Sequence, residues 1–365
     1  MAEAAPTPKI PVTVLTGYLG AGKTTLLNRI LSENHGKKYA VIVNEFGEIG
    51  IDNDLIIGAD EEVFEMNNGC VCCTVRGDLV RIMEGLMKRK GKFDAIIVET
   101  TGLADPAPVA QTFFVDEDVQ KNARLDAVVT VADAKWLSDR LKDAPEAKNQ
   151  IAFADVIVLN KTDLVSRPEL AEVEARIRGI NPYAKLHRTE RCKVALADVL
   201  ERGAFDLDRI LELEPEFLAA EDHDHAHDHD HEHCHDENCT HEHHHHGHDH
   251  HHHGHDHGHG MKHYHDEDMQ SLSLRSDKPL DPEKFMPWLQ QLVAAEGQKI
   301  LRSKGILAFT GDDDRYVFQG VHMMLEGDHQ RPWKDGEPRE SRLVFIGREL
   351  PEQTIREGFE QCIAA

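Results

Sequence analysis

Three cysteines within four positions are the first residues of this sequence whose types and spacing could do chemistry. Cys70, Cys72 and Cys73 lie in "NNGCVCCTVRGDL", residues 67–79. Thiolates at this spacing suit tetrahedral Zn²⁺ or Cu⁺ better than hard cations, and three ligands leave a fourth position open. One alternative is a redox pair, because Cys70 and Cys73 have C-x-x-C spacing. The other is that the cysteines are small apolar packing residues. A metal site is favoured, because three apolar fillers would be unusual in a loop of glycine and asparagine.

The fourth ligand of such a site is not specified by the sequence. Glu45, Glu48, a histidine from the tract described below and a residue of a client protein are all open. Arg76 and a helix predicted to begin near Gly77 would favour the thiolate form of the cysteines, which a metal ligand requires.

A phosphate-binding loop precedes the cysteines. Residues 17–25, "GYLGAGKTT", match G-x-x-x-x-G-K-[ST] between an apolar strand and a helical pattern. The glycines allow turns that aim backbone N–H groups at phosphate oxygens, and the helix N-terminus adds partial positive charge. Lys23 is expected to reach the β and γ phosphates, and Thr24 to offer its hydroxyl to Mg²⁺. The nucleotide-binding residues predicted in this loop are Gly17, Gly20, Ala21, Gly22, Lys23, Thr24 and Thr25.

Two further motifs complete a nucleotide site. In "NKTD", Asn160, Lys161 and Asp163 follow an apolar strand, and the Asp163 carboxylate can accept both hydrogen bonds that guanine offers and adenine lacks. In "ETTG", Glu99 can hold the hydration shell of Mg²⁺, and Gly102 can place its backbone N–H near the γ phosphate. No Gln positioned for the attacking water follows, so unaided hydrolysis is predicted to be slow. An ATP-dependent kinase is the weaker alternative.

Charge and composition restrict the class of protein. The net charge of the 365 residues is −25, which argues against nucleic acid as a partner. Residues 221–268 hold 14 of the acids and 22 of the 26 histidines. Imidazoles bind Zn²⁺, Ni²⁺, Co²⁺ and Cu²⁺, so this histidine tract is interpreted as a metal buffer, with a solvating linker as the alternative. Cys234 and Cys239 lie within it.

The N-terminus has no basic segment followed by a long apolar run, so no signal peptide is expected. No apolar run approaches the roughly 20 residues of a membrane helix. A cytoplasmic protein without a membrane partner is predicted, and in that reducing compartment free thiols are more often metal ligands or catalysts than disulfides.

The elements that must position these residues alternate along the first two hundred positions. Nearly all-apolar runs between amphipathic helical stretches predict an α/β domain with a mostly parallel sheet, a P-loop domain given the motif above. The predicted strands cover residues 10–16, from 39, 61–66, 94–100, 126–133 and 155–163.

The division predicted for the whole chain has three parts. Residues 1–212 form the nucleotide domain, residues 213–269 a disordered His- and Asp-rich linker, and residues 270–365 a small α+β domain. In this last part "SLSLRS", "KGILAFT", "RYVFQGVHMML" and "RLVFIG" are predicted as strands, and residues 282–295 and about 351–363 as helices. His322 and His329 there are interpreted as structural or exposed.

Five motifs in this order resemble a known family. "GYLGAGKTTLLNRIL", "NEFGEIGID", "NGCVCCTVRGDL", "ETTGLADPAPV" and "NKTD" are similar to the CobW-type metal-handling GTPases, relatives of the urease and hydrogenase nickel-delivery GTPases. The resemblance implies a GTP-dependent metallochaperone with Mg²⁺ and Zn²⁺, a client metalloprotein as partner, and a small closing domain. By position it implies a first switch segment at residues 44–52, a second at residues 99–102, and metal ligands at Cys70, Cys72 and Cys73.

The cysteine loop lies between the two switch segments, which suggests a mechanism. If the γ phosphate orders both segments, their relaxation after hydrolysis would distort the thiolate cage and loosen the metal. A cobalt, nickel or iron chaperone and a passive metal store are the alternatives. A homodimer stays open as an oligomeric state.

Overall fold

The computed structural model describes residues 9–33, 36–44, 63–66, 74–88, 93–203, 268–334 and 336–364. The strands of the first part are β1 Ile10–Thr16, β2 Tyr39–Asn44, β3 Val63–Met66, β4 Ala95–Glu99, β5 Ala123–Asp133, β6 Val156–Asn160 and β7 Lys185–Arg188. The helices are α1 Lys23–Ser32, α2 Thr74–Met87, α3 Ala107–Val115, α4 Glu117–Asn122, α5 Leu137–Asp143, α6 Pro145–Phe153 and α7 Arg167–Ile180. The predicted α/β class with a mostly parallel sheet is confirmed.

The seven described strands form one sheet in the order β3-β2-β4-β1-β5-β6-β7, and every neighbouring pair is parallel. The register pairs Leu15 with Glu99, Val43 with Glu99, and Asn44 with Met66. The carboxyl ends of β1, β4, β2 and β3 therefore lie along one edge, which is where a parallel sheet binds its ligand.

Helices cover both faces of this sheet, which explains why its strands are almost wholly apolar. Along β1, Val12 and Val14 join the core beneath α2 to α7, whereas Leu15 joins the core beneath α1. The alternation follows from the two-residue period of a strand.

Two local predictions about the first part were wrong at their boundaries. Helix α2 begins at Thr74, three residues before Gly77, so it follows residues 67–73 directly. Strand β6 ends at Asn160, and a 3-10 turn, Thr162–Leu164, follows it. Strand β7 was not predicted, because "KLHR" alternates only weakly and lies at the sheet edge.

The C-terminal part is an α+β unit, as predicted. Its elements are β8 Gln270–Ser276, α8 Pro282–Glu296, β9 Ile300–Leu307, β10 Asp314–Val321, β11 Met324–Pro332, β12 Ser341–Gly347 and α9 Glu352–Gln361. The strands form an antiparallel sheet in the order β11-β10-β9-β12-β8. The single strand predicted over "RYVFQGVHMML" was wrong: it is a hairpin that turns at His322, whose φ of 52° is left-handed, and Met323.

The two faces of the C-terminal sheet have different neighbours. One face packs under α8 and α9 around Phe285, Leu307 and Phe345. Side chains of the other face, among them Leu301 and Val344, join the core of the first part. Apolar burial on this second face holds the two described parts together. The predicted boundary at residue 212 lies within residues 204–267, which are outside the described residues, and the boundary at residue 269 lies just after them. Both boundaries stay predictions.

Candidate nucleotide site

The loop between β1 and α1 has the backbone geometry of a phosphate site. Gly17, Gly20 and Gly22 have φ values of 141°, 75° and 119°, a region that favours glycine. A Cβ at Gly17 would lie 2.2 Å from the carbonyl oxygen of Val131. Gly22 is the N-cap of α1 and has no side chain that could bond to the first turn of the helix, and this end of a helix favours an anion. Ala21 is buried between these glycines.

Lys23 lies across this loop. Its Nζ donates a hydrogen bond of 2.9 Å to the carbonyl oxygen of Gly17. The ammonium is therefore held over the turn whose N–H groups would face phosphate oxygens, and a bound nucleotide would offer it stronger, charged acceptors.

Two oxygen side chains suited to Mg²⁺ belong to elements that adjoin β1. Thr24 is half-buried in the first turn of α1, and Thr25 beside it is exposed. Glu99 is buried at the end of the neighbouring strand β4. One carboxylate and one hydroxyl beside a phosphate site match the hard-oxygen preference of Mg²⁺, which keeps several waters and phosphate oxygens as its other ligands.

The "NKTD" residues differ in their contacts. Asn160 is buried, and its Nδ2 donates to the carbonyl oxygen of Ala21 at 2.9 Å. Lys161 Nζ donates to the carbonyl oxygen of Gly20 at 2.7 Å and to Asp133 Oδ2 at 2.6 Å. These two residues thus fasten the strand end to the phosphate loop, while Asp163 is exposed in the following turn, where its carboxylate can meet a base.

A loop that sequence reasoning missed completes this side of the site. Cys192, fully buried, donates from its backbone N to Asn160 Oδ1 at 2.8 Å and from Sγ to the carbonyl oxygen of Gly22 at 3.4 Å. The Oγ1 of Thr189 lies 3.3 Å from the same Asn160 oxygen. "RTERCKV" contains no recognisable signal, and its place depends on β7, which was itself missed.

Residues 99–102, predicted as the second switch segment, approach the phosphate loop directly. Thr100 donates from its backbone N to the carbonyl oxygen of Leu15 at 2.9 Å, and its hydroxyl lies 2.9 Å from that of Thr16. A Cβ at Gly102 would lie 2.6 Å from the backbone N of Leu19. Gly102 is therefore at the mouth of the loop, and only a glycine fits this close approach.

The predicted metal ligands Cys70, Cys72 and Cys73 lie outside the described residues. The same holds for the first switch segment beyond Asn44, including Glu45 and Glu48, and for the histidine tract with Cys234 and Cys239. Among the residues that the structure does describe, no group of three His, Cys, Asp or Glu side chains could hold a metal ion.

The two described cysteines are not suited to metal binding. Cys192 and Cys362 are both buried free thiols, and burial raises the pKa of each to about 11. A thiol with so high a pKa is protonated at neutral pH, whereas a metal ligand must be a thiolate. The described histidines of the C-terminal part have structural contacts instead: His322 packs against Phe153, and His329 Nε2 lies 2.8 Å from Asp312 Oδ2.

Comparison with known proteins identifies the family. The family model "CobW/HypB/UreG, nucleotide-binding domain" matches residues 11–188, and the "Cobalamin synthesis protein cobW C-terminal domain" matches residues 269–363. The chain is 32% identical to the zinc chaperone YjiA of Escherichia coli, covering 96% of this chain and 98% of that protein. It is 34% identical to the zinc-regulated GTPase metalloprotein activator 1 of Schizosaccharomyces pombe, covering 93% and 83%.

A solved structure has the same architecture. The crystal structure of Zn(II)-bound YjiA GTPase from E. coli matches with a TM-score of 0.67 and 26% identity, covering 98% of this chain and 100% of that one. Among the described helices, none is long and apolar enough to cross a membrane. With the phosphate loop, the guanine motif and the C-terminal unit in place, the chain belongs to the CobW/HypB/UreG family of P-loop GTPases and carries its CobW C-terminal domain.

Proposed function

We propose that this GTPase is a metallochaperone that binds zinc through Cys70, Cys72 and Cys73 and passes it to client metalloproteins as GTP is hydrolysed. One observation carries the proposal: β3, the strand that leads into residues 67–73, ends at the same sheet edge as β1, β2 and β4. Met66 and Glu99 end strands separated by β2 alone, so they are about 10 Å apart. A change at the nucleotide therefore has a short path to the cysteine loop.

The nucleotide site has assigned roles in this proposal. Lys23 leaves the carbonyl oxygen of Gly17 and binds the β and γ phosphates, where its charge stabilises the developing negative charge of phosphoryl transfer. Thr24 would hold Mg²⁺ and Glu99 its hydration shell, and the ion bound there would neutralise charge on the phosphate oxygens. The Gly102 N–H faces the γ phosphate, and Asp163 accepts two hydrogen bonds from guanine.

The remaining residues of the loop hold the phosphates through their backbone. The proposed contacts come from Gly17, Gly20, Ala21, Gly22 and Thr25, with Asn160 and Lys161 fixing the loop from the other side. In such a site the backbone N–H groups are arranged before the ligand arrives, so binding requires little reorganisation.

Zinc is the proposed cargo for two reasons. The relatives from E. coli and S. pombe are named as a zinc chaperone and a zinc-regulated activator, and their likeness to this chain extends over almost its whole length. Three thiolates also fit Zn²⁺ better than the hard or square-planar ions. Since α2 begins at Thr74, the sequence puts Cys73 directly before a helix N-terminus, where the dipole favours a thiolate.

The fourth zinc position is proposed as the point of transfer. Glu45, Glu48, a histidine of the tract or a residue of the client could fill it, and exchange among them would move the ion without a bare intermediate. The tract, residues 221–268, is proposed to raise the local supply of zinc. A cytoplasmic location and a division at residues 212 and 269 complete the proposal.

GTP turnover by the purified protein against a panel of Zn²⁺, Co²⁺, Ni²⁺ and Fe²⁺ tests this function. We expect Zn²⁺ to change the rate most, and Cys72→Ala to remove that response while leaving the metal-free rate unchanged. A response to Zn²⁺ that survives Cys72→Ala would contradict the role of the loop. A larger response to Co²⁺, Ni²⁺ or Fe²⁺ would replace zinc with that metal.

A passive zinc store whose nucleotide site is dispensable is distinguished in cells. Lys23→Ala should abolish delivery to zinc-starved clients, because the phosphate charge loses its partner. Normal client activity with Lys23→Ala, under zinc limitation and at matched protein level, would favour the store.

A further inference from the structure

Helix α6 holds the second switch segment through a buried glutamine. Gln150 is 1% exposed, and its Nε2 donates hydrogen bonds of 3.1 Å to the carbonyl oxygens of both Gly102 and Ala104. Its own backbone oxygen accepts from Thr130 Oγ1 at 2.7 Å, which fixes this turn of α6 against β5. The two amide hydrogens of one side chain thus fasten two carbonyls of an otherwise irregular loop.

The preceding residue of α6 continues the contact toward the C-terminal part. Asn149 Nδ2 donates to Asp105 Oδ2 at 2.8 Å, and Asp105 Oδ1 accepts from the backbone N of Ala107 at 2.9 Å, at the start of α3. Asn149 Oδ1 accepts from Arg348 Nη2 at 2.7 Å. Arg348 follows β12, and its backbone N donates to the carbonyl oxygen of Lys299, so its position is set by the C-terminal sheet.

The chemistry of this relay is specific to its residue types. The amide of Asn149 donates to Asp105 and accepts from Arg348 at the same time: an ionised carboxylate at position 149 would lose the donor, and an apolar side chain both bonds. Likewise only an amide or a cation at position 150 could satisfy two buried carbonyls. An apolar residue of similar size at one of these positions therefore removes its hydrogen bonds and largely keeps the packing.

We propose that Gln150 and Asn149 are positioning residues for GTP hydrolysis, and that Arg348 lets the C-terminal domain act on the second switch segment through them. When the carbonyls of Gly102 and Ala104 are held, the backbone at Gly102 is held too, and with it the N–H proposed to face the γ phosphate. Movement of the C-terminal domain would shift the side chain of Arg348 and, through Asn149, that of Asp105. The backbone geometry of the second switch segment, and with it GTP binding, would change as a result. The inference rests on the proposed role of Gly102.

This arrangement predicts a change in the binding of nucleotides that carry a γ phosphate, and none in the binding of GDP. GDP would be held by the phosphate loop and by Asp163, whereas in the described residues the side chains of Gln150, Asn149 and Arg348 form their hydrogen bonds with residues at positions 102, 104, 105 and 149. A loosened second switch segment would therefore weaken binding of a GTP analogue and lower kcat, and leave GDP binding as it is. A purely structural role would lower both affinities together.

The experiment uses the full chain with Arg348→Met, Asn149→Leu and Gln150→Leu. For each variant, dissociation constants for GDP and for a non-hydrolysable GTP analogue are measured with Mg²⁺, together with kcat and KM for GTP. We expect the analogue to bind about fivefold more weakly and kcat to fall by a similar factor, the effect of one or two lost hydrogen bonds. GDP affinity should stay within about twofold, the range of an ordinary surface substitution.

Controls separate the relay from folding and from the site itself. Arg339→Ala removes another arginine of the C-terminal part, from an exposed pair with Asp313, and should change neither affinity. The double variant Asn149→Leu with Arg348→Met should be no worse than Asn149→Leu alone, because Asn149→Leu has already removed the hydrogen bond to Arg348. If Gln150→Leu does not fold, the other two variants decide.

The inference would be overturned if the affinities for GDP and for the GTP analogue changed equally. It would also be overturned if neither affinity changed and kcat stayed the same. Failure of the proposed nucleotide site has a different signature, since Lys23→Ala would then leave binding of the GTP analogue intact. With Lys23→Ala inactive and Arg348→Met normal, only the relay is refuted.

Discussion

At the scale of single residues, the glycines of the phosphate loop differ in what surrounds them. Gly20 has a φ of 75°, and a Cβ there would meet nothing within 4 Å. Gly22 has a φ of 119°, and a Cβ there would lie 2.6 Å from Asn160 Nδ2 and 3.1 Å from Cys192 Sγ. Gly22 therefore lies where the phosphate loop, the guanine motif and the Cys192 loop converge.

This difference predicts unequal effects of adding one methyl group. Gly20→Ala should cost only backbone strain, about 1–2 kcal/mol. Gly22→Ala should in addition displace Asn160 from the carbonyl oxygen of Ala21, and so weaken GDP and GTP binding at least about tenfold more than Gly20→Ala does. Titration of a fluorescent GDP analogue, with thermal unfolding as the check on folding, measures both. Equal affinities for the two variants would show that Asn160 does not act through this contact.

At the scale of elements, α6 connects several parts of the described structure. Gln150 bonds to Gly102 of the second switch segment and Asn149 to Asp105 just after it, Phe153 packs against His322 of the β10–β11 hairpin, and Lys148 pairs with Asp268 at 2.7 Å. The carboxyl end of α6 is closed by Asn181, the residue after α7, whose Nδ2 donates to the carbonyl oxygens of residues 151, 152 and 154.

Asn181 should accordingly be a large single contributor to stability. It is 1% exposed, and its Oδ1 accepts from the backbone N of Tyr183 and of Ala184. Asn181→Ala leaves several buried backbone groups without partners, so we expect the free energy of unfolding to fall by about 3 kcal/mol. Asn122→Ala is the matched control, because it removes one exposed hydrogen bond, from the Asn122 amide to the carbonyl oxygen of Asp118. It should change the free energy of unfolding by less than about 0.5 kcal/mol. Denaturant unfolding of both variants decides. Similar losses in the two would contradict this account.

The elements show how far sequence could lead. The strands from β1 to β6 and the phosphate loop were predictable, because apolar runs and glycine spacing report local geometry. Gln150, Asn149, Cys192 and Arg348 were not, because the partners of their hydrogen bonds at the site are 32 to 199 positions away in the chain and no local pattern marks them. The hairpin at His322 was missed because its turn contains no Gly, Asn or Asp, the residues that usually mark one.

At the scale of the whole molecule, a buried charge cluster joins the two described parts. Asp155 immediately precedes β6, the strand that ends in the guanine motif. Its carboxylate accepts from the backbone N of Val128 at 2.8 Å, from Arg302 Nη2 at 3.1 Å and from Lys304, both of the latter on β9. Burial opposes ionisation of Asp155, but Lys304 and Arg302 outweigh it and hold its pKa below the ordinary value of 3.8.

Asp155→Asn should therefore destabilise the joined molecule. The variant keeps the shape of the side chain but leaves two cations without their buried counter-charge, so we expect a loss of about 3 kcal/mol at pH 7. Because the folded pKa is lowered, the stabilisation by Asp155 is complete at neutral pH and is lost only as the pH falls through and below 3.8. The difference in unfolding free energy between the natural protein and the variant should thus be constant from neutral to mildly acid pH and shrink in stronger acid.

Denaturant unfolding across this pH range measures that difference. Asp139→Asn, which breaks the exposed pair with Lys142, is the control and should have little effect at any pH. A difference for Asp155→Asn that disappears already near neutral pH would refute the lowered pKa. Equal destabilisation by the two variants would refute the importance of burial.

The measurement that tests the central claim most directly is zinc affinity in two nucleotide states. The dissociation constant for Zn²⁺ is determined on the full chain with GDP and with a non-hydrolysable GTP analogue, each with Mg²⁺, and on Cys72→Ala as the control for binding elsewhere. We expect tighter zinc binding with the GTP analogue, by about fivefold or more, and by linkage an equal gain in analogue affinity when zinc is bound. Both gains should vanish in Cys72→Ala. Equal zinc affinities in the two states of the natural protein would contradict the coupling of GTP to metal transfer.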